Sequence, residues 1–375
     1  MAMNFVSNHS RLNRRQFLTA ATAAGATAAF SGRDLLTGAP QAQPRNTRPI
    51  DVHYHLWSPE FMGIGKENGF KVNPGTPIFW DPKHTPWNLS KAVEDNDKWG
   101  IMGMTSVPGT TNWGPKPELW RRMARVSNEY AAKIRSDYPK LFGMWATLPM
   151  RDIDGTLKEI EYAMDTLKAD GFGLITNYFV NGTDKFQGDE MFNPIYEELN
   201  RRKAVIYVHP TNLKCQQGAT QVCEEVLPKG VGDESYLIDT GRAMGTLIFT
   251  GSTTRYPDIT WIFSHSGGTG PVIYFRSLIH RKAPTPTTPN YKGTAAEFKK
   301  FYYDTAQTYD ADEMRLAKSL WSVQHMVFGS DYPYFSSAET AEGVKNCGIF
   351  NPAELRAIYY ENVQRLVPRL RTISS

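Results

Sequence analysis

Short apolar runs alternate with longer amphipathic segments from residue 50 to the end of the chain. We predict strands at residues 50–55, 101–107, 142–148, 173–176, 204–208, 260–264, 301–304 and 325–328. Helical periodicity marks residues 89–98, 118–137, 153–169, 194–202, 234–255, 270–282, 294–300 and 311–322. A final helix opens at Asn351-Pro352-Ala353-Glu354, where a side-chain cap precedes proline. This alternation predicts an α/β fold in which the sheet closes into a (β/α)8 TIM barrel, rather than an open doubly wound sheet.

A long segment without regular periodicity follows the first strand, at residues 57–88. It is rich in proline and glycine, and its large aromatic side chains are Trp57, Phe61, Phe70, Phe79, Trp80 and Trp87. Aromatic content argues against disorder, and a connection of this length is usually functional. We predict a long loop after strand 1 that covers a pocket, with Trp57 in contact with the substrate.

Residues 1–39 have the layout of an export signal. Asn13-Arg14-Arg15-Gln16-Phe17-Leu18 closely resembles the twin-arginine signal, and an alanine- and threonine-rich stretch follows. We expect cleavage after Ala39, a linker at residues 40–49 and a single domain at residues 50–375, in a periplasmic protein exported by the twin-arginine route. An ordinary N-terminal helix or a disordered tail is the alternative. The apolar stretch is too short and too poor in large residues to span a membrane.

Charge and cysteine content narrow the classes of partner. The net charge is +4, and +3 of it lies in the first 39 residues, so the remainder is almost neutral. Without a run of lysine or arginine there is no electrostatic basis for nucleic-acid binding. No Gly-x-Gly-x-x-Gly follows a predicted strand, so a dinucleotide site lacks support. Cys215 and Cys223 form either a disulfide or two thiols, and no cysteine has the spacing of a zinc site.

Histidine or aspartate ends four of the predicted strands: His53 and His55 the first, His209 the fifth, His265 the sixth and Asp331 the eighth. His53 and His55 project from the same strand face because side chains repeat every second residue. Taken singly, each of these residues has an ordinary structural alternative, such as capping a loop. Strand ends of a barrel converge on one face, where active sites lie. Together these residues therefore predict a site for a divalent cation such as zinc, with an open position for water.

Four motifs carry a resemblance to a known family. Asp51-Val52-His53-Tyr54-His55, Val208-His209-Pro210, Ser264-His265-Ser266-Gly267-Gly268 and Phe328-Gly329-Ser330-Asp331-Tyr332-Pro333 resemble the amidohydrolase superfamily. More closely, they resemble its aminocarboxymuconate-semialdehyde decarboxylase branch, which includes benzoate-type decarboxylases. The resemblance runs from Ile50 to Val367.

The resemblance implies a role for each motif residue. The metal ligands would be His53, His55, His209 and Asp331, while His265 would activate bound water or shuttle a proton. Some members of the branch replace the first histidine with glutamate and use manganese. Because this chain keeps His53, the resemblance implies zinc, with manganese as the alternative.

The resemblance also implies a homodimer in which Arg276 reaches a substrate carboxylate across the subunit interface. The namesake enzyme has a second carboxylate-binding arginine after its first strand, whereas residues 49–120 of this chain contain none. Lysines at 66, 71, 83 or 91 would lack the two-pronged geometry of arginine, which argues against a dicarboxylate substrate.

Three functions fit these residues. The first is a metal-dependent, non-oxidative decarboxylase of an aromatic or unsaturated carboxylic acid, with a proton supplied through Asp331 or His265. The second is a metal-dependent hydrolase of a lactone, ester or amide, with Asp331 as base toward metal-bound water. The third is a binding or metal-storage protein without catalysis. Arg276 and the aromatic loop favour the decarboxylase.

Overall fold

The computed structural model describes residues 48–68, 87–106, 116–211, 232–279 and 291–373, with no side chains for residues 232–235. The predicted export signal, residues 69–86 of the predicted loop, Cys215 and Cys223 lie outside the described residues. Within the described part, no helix is both long enough and apolar enough to span a bilayer.

One parallel sheet organises the domain. Its strands are β1 (Ile50–His55), β2 (Met102–Ser106), β3 (Phe142–Thr147), β4 (Gly171–Ile175), β7 (Val205–His209), β8 (Thr260–Phe263) and β9 (Tyr302–Tyr303), paired in that order. A separate antiparallel hairpin of β5 (Asn177–Val180) and β6 (Thr183–Phe186) follows β4. The predicted α/β class is confirmed, as are seven parallel strands alternating with helices. The β5–β6 hairpin was not predicted.

The α-helices are α1 (Pro59–Glu67), α2 (Leu89–Trp99), α3 (Pro117–Asp137), α4 (Ile153–Glu161), α5 (Asn193–Arg201), α6 (Gly232–Phe249), α7 (Ser252–Arg255), α8 (Gly270–Ile279), α9 (Thr294–Phe298), α10 (Ala311–Trp321), α11 (Ser337–Asn346), α12 (Pro352–Arg356), α13 (Asn362–Leu366) and α14 (Leu370–Ile373). Short 3-10 turns lie at Glu190–Phe192, His265–Gly267 and Val323–His325, and π turns at Tyr162–Thr166 and Ala357–Glu361. The predicted cap at Asn351 is confirmed, because Asn351 and Glu354 form a capping box at the start of α12.

The eighth predicted strand, at residues 325–328, is not a regular strand. Its segment nevertheless lies between the two edges of the sheet. On one side Val327 N donates to Tyr303 O at 2.9 Å, and on the other Val52 N donates to Phe328 O at 2.9 Å. Further along, His55 N donates to Tyr332 O at 2.7 Å. The sheet therefore curls so far that β9 and β1 contact the same segment.

Part of the predicted loop after β1 is a helix, which corrects the expectation for residues 59–67. Ser58 caps α1, because its Oγ accepts a hydrogen bond from Phe61 N at 3.0 Å. Pro59 occupies the first turn, where a missing N–H costs nothing, and Glu60 complements the helix dipole. This Ser-Pro-Glu start signal is present in the sequence but is obscured by the prolines and glycines that follow.

Candidate metal centre

The structure brings together the side chains of His53, His55, His209 and Asp331. One ligand atom from each lies within 4.8 Å of the others. Asp331 Oδ1 lies 2.6 Å from His55 Nε2 and 3.1 Å from His53 Nε2. The ring centroid of His209 lies 5.0 Å from that of His53 and 4.8 Å from that of His55. Three imidazoles and a carboxylate therefore face one point at the carboxyl ends of β1 and β7.

A bulge in β1 positions the first two histidines. Asp51 pairs with Gly103 and Tyr54 with Thr105, so Val52 and His53 together occupy the place opposite one residue of β2. Bulges redirect side chains and are common beside active sites. Asp51 anchors the bulge because its carboxylate accepts hydrogen bonds from His53 N at 3.0 Å and Ser330 N at 3.0 Å. The same carboxylate thus links the strand of His53 to the segment that carries Asp331.

Backbone geometry places the other site residues. Asp331 has φ 74°, and its N–H donates to His53 O at 2.9 Å. His265 and Ser266 have φ 51° and 52° in the turn directly after β8. Residues other than glycine rarely adopt this left-handed region, and such positions cluster at functional sites. Strand periodicity contains no information about these three dihedral angles.

The hydrogen bonds of the imidazoles differ: His53 and His209 each use Nδ1, whereas His55 uses Nε2, which contacts Asp331 Oδ1. His53 Nδ1 lies 3.0 Å from Asp304 Oδ2, and His209 Nδ1 donates to Pro210 O at 2.6 Å. A proton held on Nδ1 leaves Nε2 with a lone pair for a cation. His53 Nε2 lies 3.1 Å from Asp331 Oδ1 without the geometry of a hydrogen bond, and His55 Nδ1 is buried without a hydrogen-bond partner among the described residues. Such unsatisfied atoms, with a nitrogen and oxygen donor set, fit a divalent cation of the zinc or manganese type.

The charges of the site also fit a cation. Burial lowers the pKa of His53, but the Asp331 and Asp304 carboxylates outweigh it and raise that pKa to about 10. Burial raises the pKa of Asp331, but the positive charge of His53 holds that pKa well below its usual range. The protein alone thus balances its buried carboxylates with a protonated His53. A divalent cation supplies positive charge in its place and displaces that proton.

His265 lies beside the four candidate ligand residues, His53, His55, His209 and Asp331, which we call the ligand cluster. Its ring centroid is 5.0 Å from that of His53 and 6.3 Å from that of His209. Its Nδ1 is buried without a hydrogen-bond partner in the described structure, and its backbone N–H donates to Asp304 Oδ1 at 2.7 Å. Burial, with the charge of His53, lowers the pKa of His265 to about 4. The imidazole is therefore neutral near pH 7 and has a nitrogen free for proton transfer.

Asp304, at the end of β9, is a site residue that sequence reasoning missed. Its fully buried carboxylate accepts hydrogen bonds from His53 Nδ1 at 3.0 Å, from Tyr207 OH at 2.9 Å and from the backbone N–H groups of His265 and Ala306. Gly329 makes room for it, because a Cβ atom there would lie 2.8 Å from Asp304 Cβ. The signal was available: Asp304 ends the seventh predicted strand in the same way that Asp331 ends the eighth.

A cavity of about 460 Å³ lies next to the ligand cluster and is lined by Gln307, Tyr309, Asp310 and Phe335. Gln307 connects it to the cluster, since Nε2 donates to Asp331 Oδ2 at 2.7 Å. The predicted contact residue Trp57 is buried and stacks on His55 with ring centroids 5.5 Å apart. Tyr334 meets His55 edge-on at 5.5 Å. Two aromatic rings thus pack against the imidazole of His55.

Arg276, the other predicted substrate residue, lies elsewhere in this single chain. It is exposed on α8 and makes no ion pair with any residue of the described ranges. Val272, Phe275 and Ile279 are exposed on the same helix, with 67%, 45% and 77% of their surface accessible. The spacing of these four residues puts them on one helix face.

Comparisons with known proteins agree with this architecture. The sequence profile of the family described as Amidohydrolase matches residues 50–369. The decarboxylase yanB of Aspergillus niger is 34% identical over 296 residues, or 76% of this chain and 77% of that protein. The 6-methylsalicylic acid decarboxylase of Penicillium expansum is 34% identical over 295 residues, which are 76% of this chain and 84% of that protein. The 2-amino-3-carboxymuconate-6-semialdehyde decarboxylase of Dictyostelium discoideum is 26% identical over 304 residues, which are 76% of this chain and 81% of that protein.

Solved structures show the same fold. A 2,6-dihydroxybenzoate decarboxylase complexed with 2,6-dihydroxybenzoate superposes with a TM-score of 0.72 at 18% identity, covering 86% of this chain and 99% of that chain. A dihydroxybenzoic acid decarboxylase from Polaromonas sp., with bound manganese and 2-nitroresorcinol, superposes with a TM-score of 0.70 at 18% identity, covering 86% and 97%.

The chain belongs to the amidohydrolase family. The predicted branch of the superfamily is confirmed. So is the predicted class of enzyme, a metal-dependent carboxy-lyase.

Proposed function

We propose that this protein is a zinc-dependent, non-oxidative decarboxylase of a hydroxylated aromatic acid, with manganese as the alternative metal. The observation that carries the proposal is the convergence of three imidazoles and one carboxylate within 4.8 Å, next to a cavity with aromatic walls. Relatives named for 6-methylsalicylic acid support an aromatic substrate. The segment that joins β9 to β1 supports a complete (β/α)8 barrel around this site.

The chain's own residues have distinct tasks in the proposed reaction. His53, His55, His209 and Asp331 would hold the metal, which when bound supplies a Lewis acid and a template for the substrate's oxygens. His265, neutral and buried with a free Nδ1, shuttles a proton at the face of the ligand cluster. Asp331 is the second candidate for this proton transfer, because its carboxylate borders the cavity through Gln307.

The bond changes follow from this arrangement. A proton adds to the ring carbon that bears the carboxylate, the bond from this carbon to the carboxylate carbon breaks, and its electron pair restores the aromatic ring as CO2 leaves. No oxidant is needed. Trp57 and Tyr334 cover the cluster and restrict water around the reacting carbon. Positioned proton transfer contributes about 10²–10⁴-fold to such a step.

A homodimer is part of the proposal. The face of α8 that carries Val272, Phe275 and Ile279 is apolar and exposed, and Arg276 lies on it. We propose that this face meets a second copy and that Arg276 binds the substrate carboxylate of the neighbouring subunit. Arg276→Ala should lose turnover alone and recover part of it when mixed with His53→Ala, since one site of a mixed dimer is then intact. Monomeric protein with full activity would contradict this.

Periplasmic location is also proposed, on the basis of Arg14 and Arg15 within the signal-like segment. Replacement of both by lysine should leave the protein in the cytoplasmic fraction of a bacterial host with a twin-arginine system. Unchanged export of that variant would reject the twin-arginine route.

The deciding experiment supplies the zinc-loaded protein with a panel of salicylates, dihydroxybenzoates, aryl esters and lactones. Release of CO2 with a stoichiometric phenol supports the decarboxylase. Release of acid from a lactone or ester without CO2 would support a hydrolase that uses the same residues, and would reject the decarboxylase.

A further inference from the structure

Gln307 occupies an unusual backbone position beside the ligand cluster. Its φ is 56°, in the left-handed region that side chains larger than asparagine rarely adopt. The turn that carries it is tied to the site, because Ala306 N donates to Asp304 Oδ1 at 3.0 Å and Thr308 Oγ1 lies 2.8 Å from Ser266 Oγ. An uncommon conformation held by neighbouring site residues indicates that the position of this side chain matters to the site.

The side chain of Gln307 contacts the carboxylate oxygen that faces away from the histidines. Its Nε2 donates to Asp331 Oδ2 at 2.7 Å, whereas Asp331 Oδ1 faces His53 and His55 at 3.1 Å and 2.6 Å. The two oxygens of one carboxylate therefore have separate tasks. With Oδ2 occupied by an amide, Asp331 offers a cation one oxygen, which keeps a further coordination position open.

The amide orientation of Gln307 follows from chemistry. An ionised carboxylate accepts hydrogen bonds and donates none, so the amide nitrogen must face Asp331 and the oxygen must face away from it. Gln307 is exposed and lines the cavity with Tyr309, Asp310 and Phe335. No residue in the described ranges donates to Gln307 Oε1. A hydrogen-bond acceptor is thus available at the edge of the cavity, directly beside the ligand cluster.

We propose that Gln307 is a positioning residue with two contacts: Nε2 fixes Asp331 for the cation, and Oε1 accepts a hydrogen bond from a hydroxyl group of the substrate. The second contact rests on the proposed function and deepens it. It selects aromatic acids that carry a hydroxyl group in addition to the oxygens that meet the metal. The two contacts are coupled, because a substrate that engages Oε1 holds the amide in the orientation that supports Asp331.

The test replaces the amide with a side chain of similar length. Gln307→Met keeps the volume but removes both the donor and the acceptor. Gln324→Met is the matched control, since Gln324 is exposed within the Val323–His325 turn, before the segment that leads to Asp331. The zinc dissociation constant of each metal-free protein is measured by competition with a chelator. Loss of a hydrogen bond that orients a ligand should weaken zinc binding about 10–100-fold in Gln307→Met, with no change in Gln324→Met.

The substrate contact is tested with two acids that differ in one hydrogen-bond donor, 2,6-dihydroxybenzoate and 2-hydroxy-6-methoxybenzoate. Both proteins are saturated with zinc. The unaltered protein should prefer the dihydroxy acid in kcat/KM by about tenfold, the ratio that corresponds to one hydrogen bond. Gln307→Met should bring this ratio close to one, whereas Gln324→Met should keep it.

Each outcome decides one part of the proposal. An unchanged zinc dissociation constant in Gln307→Met overturns the role in positioning Asp331, and an unchanged preference between the two acids overturns the substrate contact. If circular dichroism shows that Gln307→Met is misfolded, Gln307→Ala takes its place. If the proposed function is wrong, the unaltered protein will release no CO2 from any acid. The zinc measurement would still decide whether Gln307 positions Asp331.

Discussion

Asp304 allows a sharp prediction, because its carboxylate serves two sets of donors. One oxygen faces His53 Nδ1 and Tyr207 OH, and the other faces the backbone N–H groups of His265 and Ala306. In Asp304→Asn, one of these oxygens becomes an NH2 group. The variant must therefore place a donor against one of the two sets.

The relative free energies decide which set loses its acceptor. An NH2 group facing the two backbone N–H groups would leave two buried donors unsatisfied, at about 1–3 kcal/mol each. An NH2 group facing His53 and Tyr207 costs less, because the proton of His53 can move from Nδ1 to Nε2 and the Tyr207 hydroxyl can turn to accept instead of donating. We therefore expect the second orientation. It protonates the nitrogen that faces His55 and Asp331, so zinc binding should weaken about 10–100-fold, or about 1.4–2.8 kcal/mol.

The assay measures the zinc dissociation constant by competition with a chelator, together with the Tm of the metal-free protein. Asp170→Asn is the matched control. The side chain of Asp170 is also buried, but it pairs with Arg369 at 2.6 Å and 2.7 Å and borders a different cavity, beside the starts of β4 and β7. That variant should lower Tm and leave zinc binding unchanged. Wild-type zinc affinity with a lowered Tm in Asp304→Asn would refute the tautomer argument, since the amide would then have turned the other way.

Three further predictions concern neighbouring residues. His265→Asn should keep its zinc, since the imidazole is not among the four candidate ligands, and should lose about 10²–10⁴-fold in turnover. Metal analysis together with a CO2 assay tests this, and unchanged turnover would exclude His265 from proton transfer. The metal-free protein should lose stability as the pH rises from 6.5 to about 10, because folding raises the pKa of His53 from 6.5 to about 10 and the stabilising charge is fully present only below pH 6.5. Thermal unfolding should show a smaller loss in His53→Gln, and an equal loss in both proteins would contradict the attribution of the pH dependence to His53. Gly343→Ala should raise KM, because the added Cβ would lie 2.6 Å from the ring of Tyr309 and push this ring within the cavity. Tm should not fall, since alanine stabilises helix α11 by about 1 kcal/mol relative to glycine. An unchanged KM would show that Tyr309 does not contact the substrate.

Local patterns were sufficient for much of the fold. The alternation of apolar runs and amphipathic segments predicted seven strands and most helices, since burial on a strand or helix repeats over a few residues. Where local signals compete, the prediction was less accurate. The predicted helix at residues 234–255 is interrupted at Gly251, whose φ is 78°. The segment at 325–328 has strand-like composition, but it forms an isolated bridge with β9 at Met326, and the bridge with β1 lies beyond the segment, at Tyr332.

The sequence alone placed His53, His55, His209, His265 and Asp331 at the ends of strands, because a strand ends where its apolar run ends. It contained no information on the bulge that turns His53 inward, on the left-handed backbone of Asp331, or on the contacts of Asp304 and Gln307. His53 and Asp304 are 251 residues apart along the chain, and their 3.0 Å contact exists only after the sheet has curled. Tertiary structure decided these features because the register between distant strands depends on packing, which local periodicity does not encode.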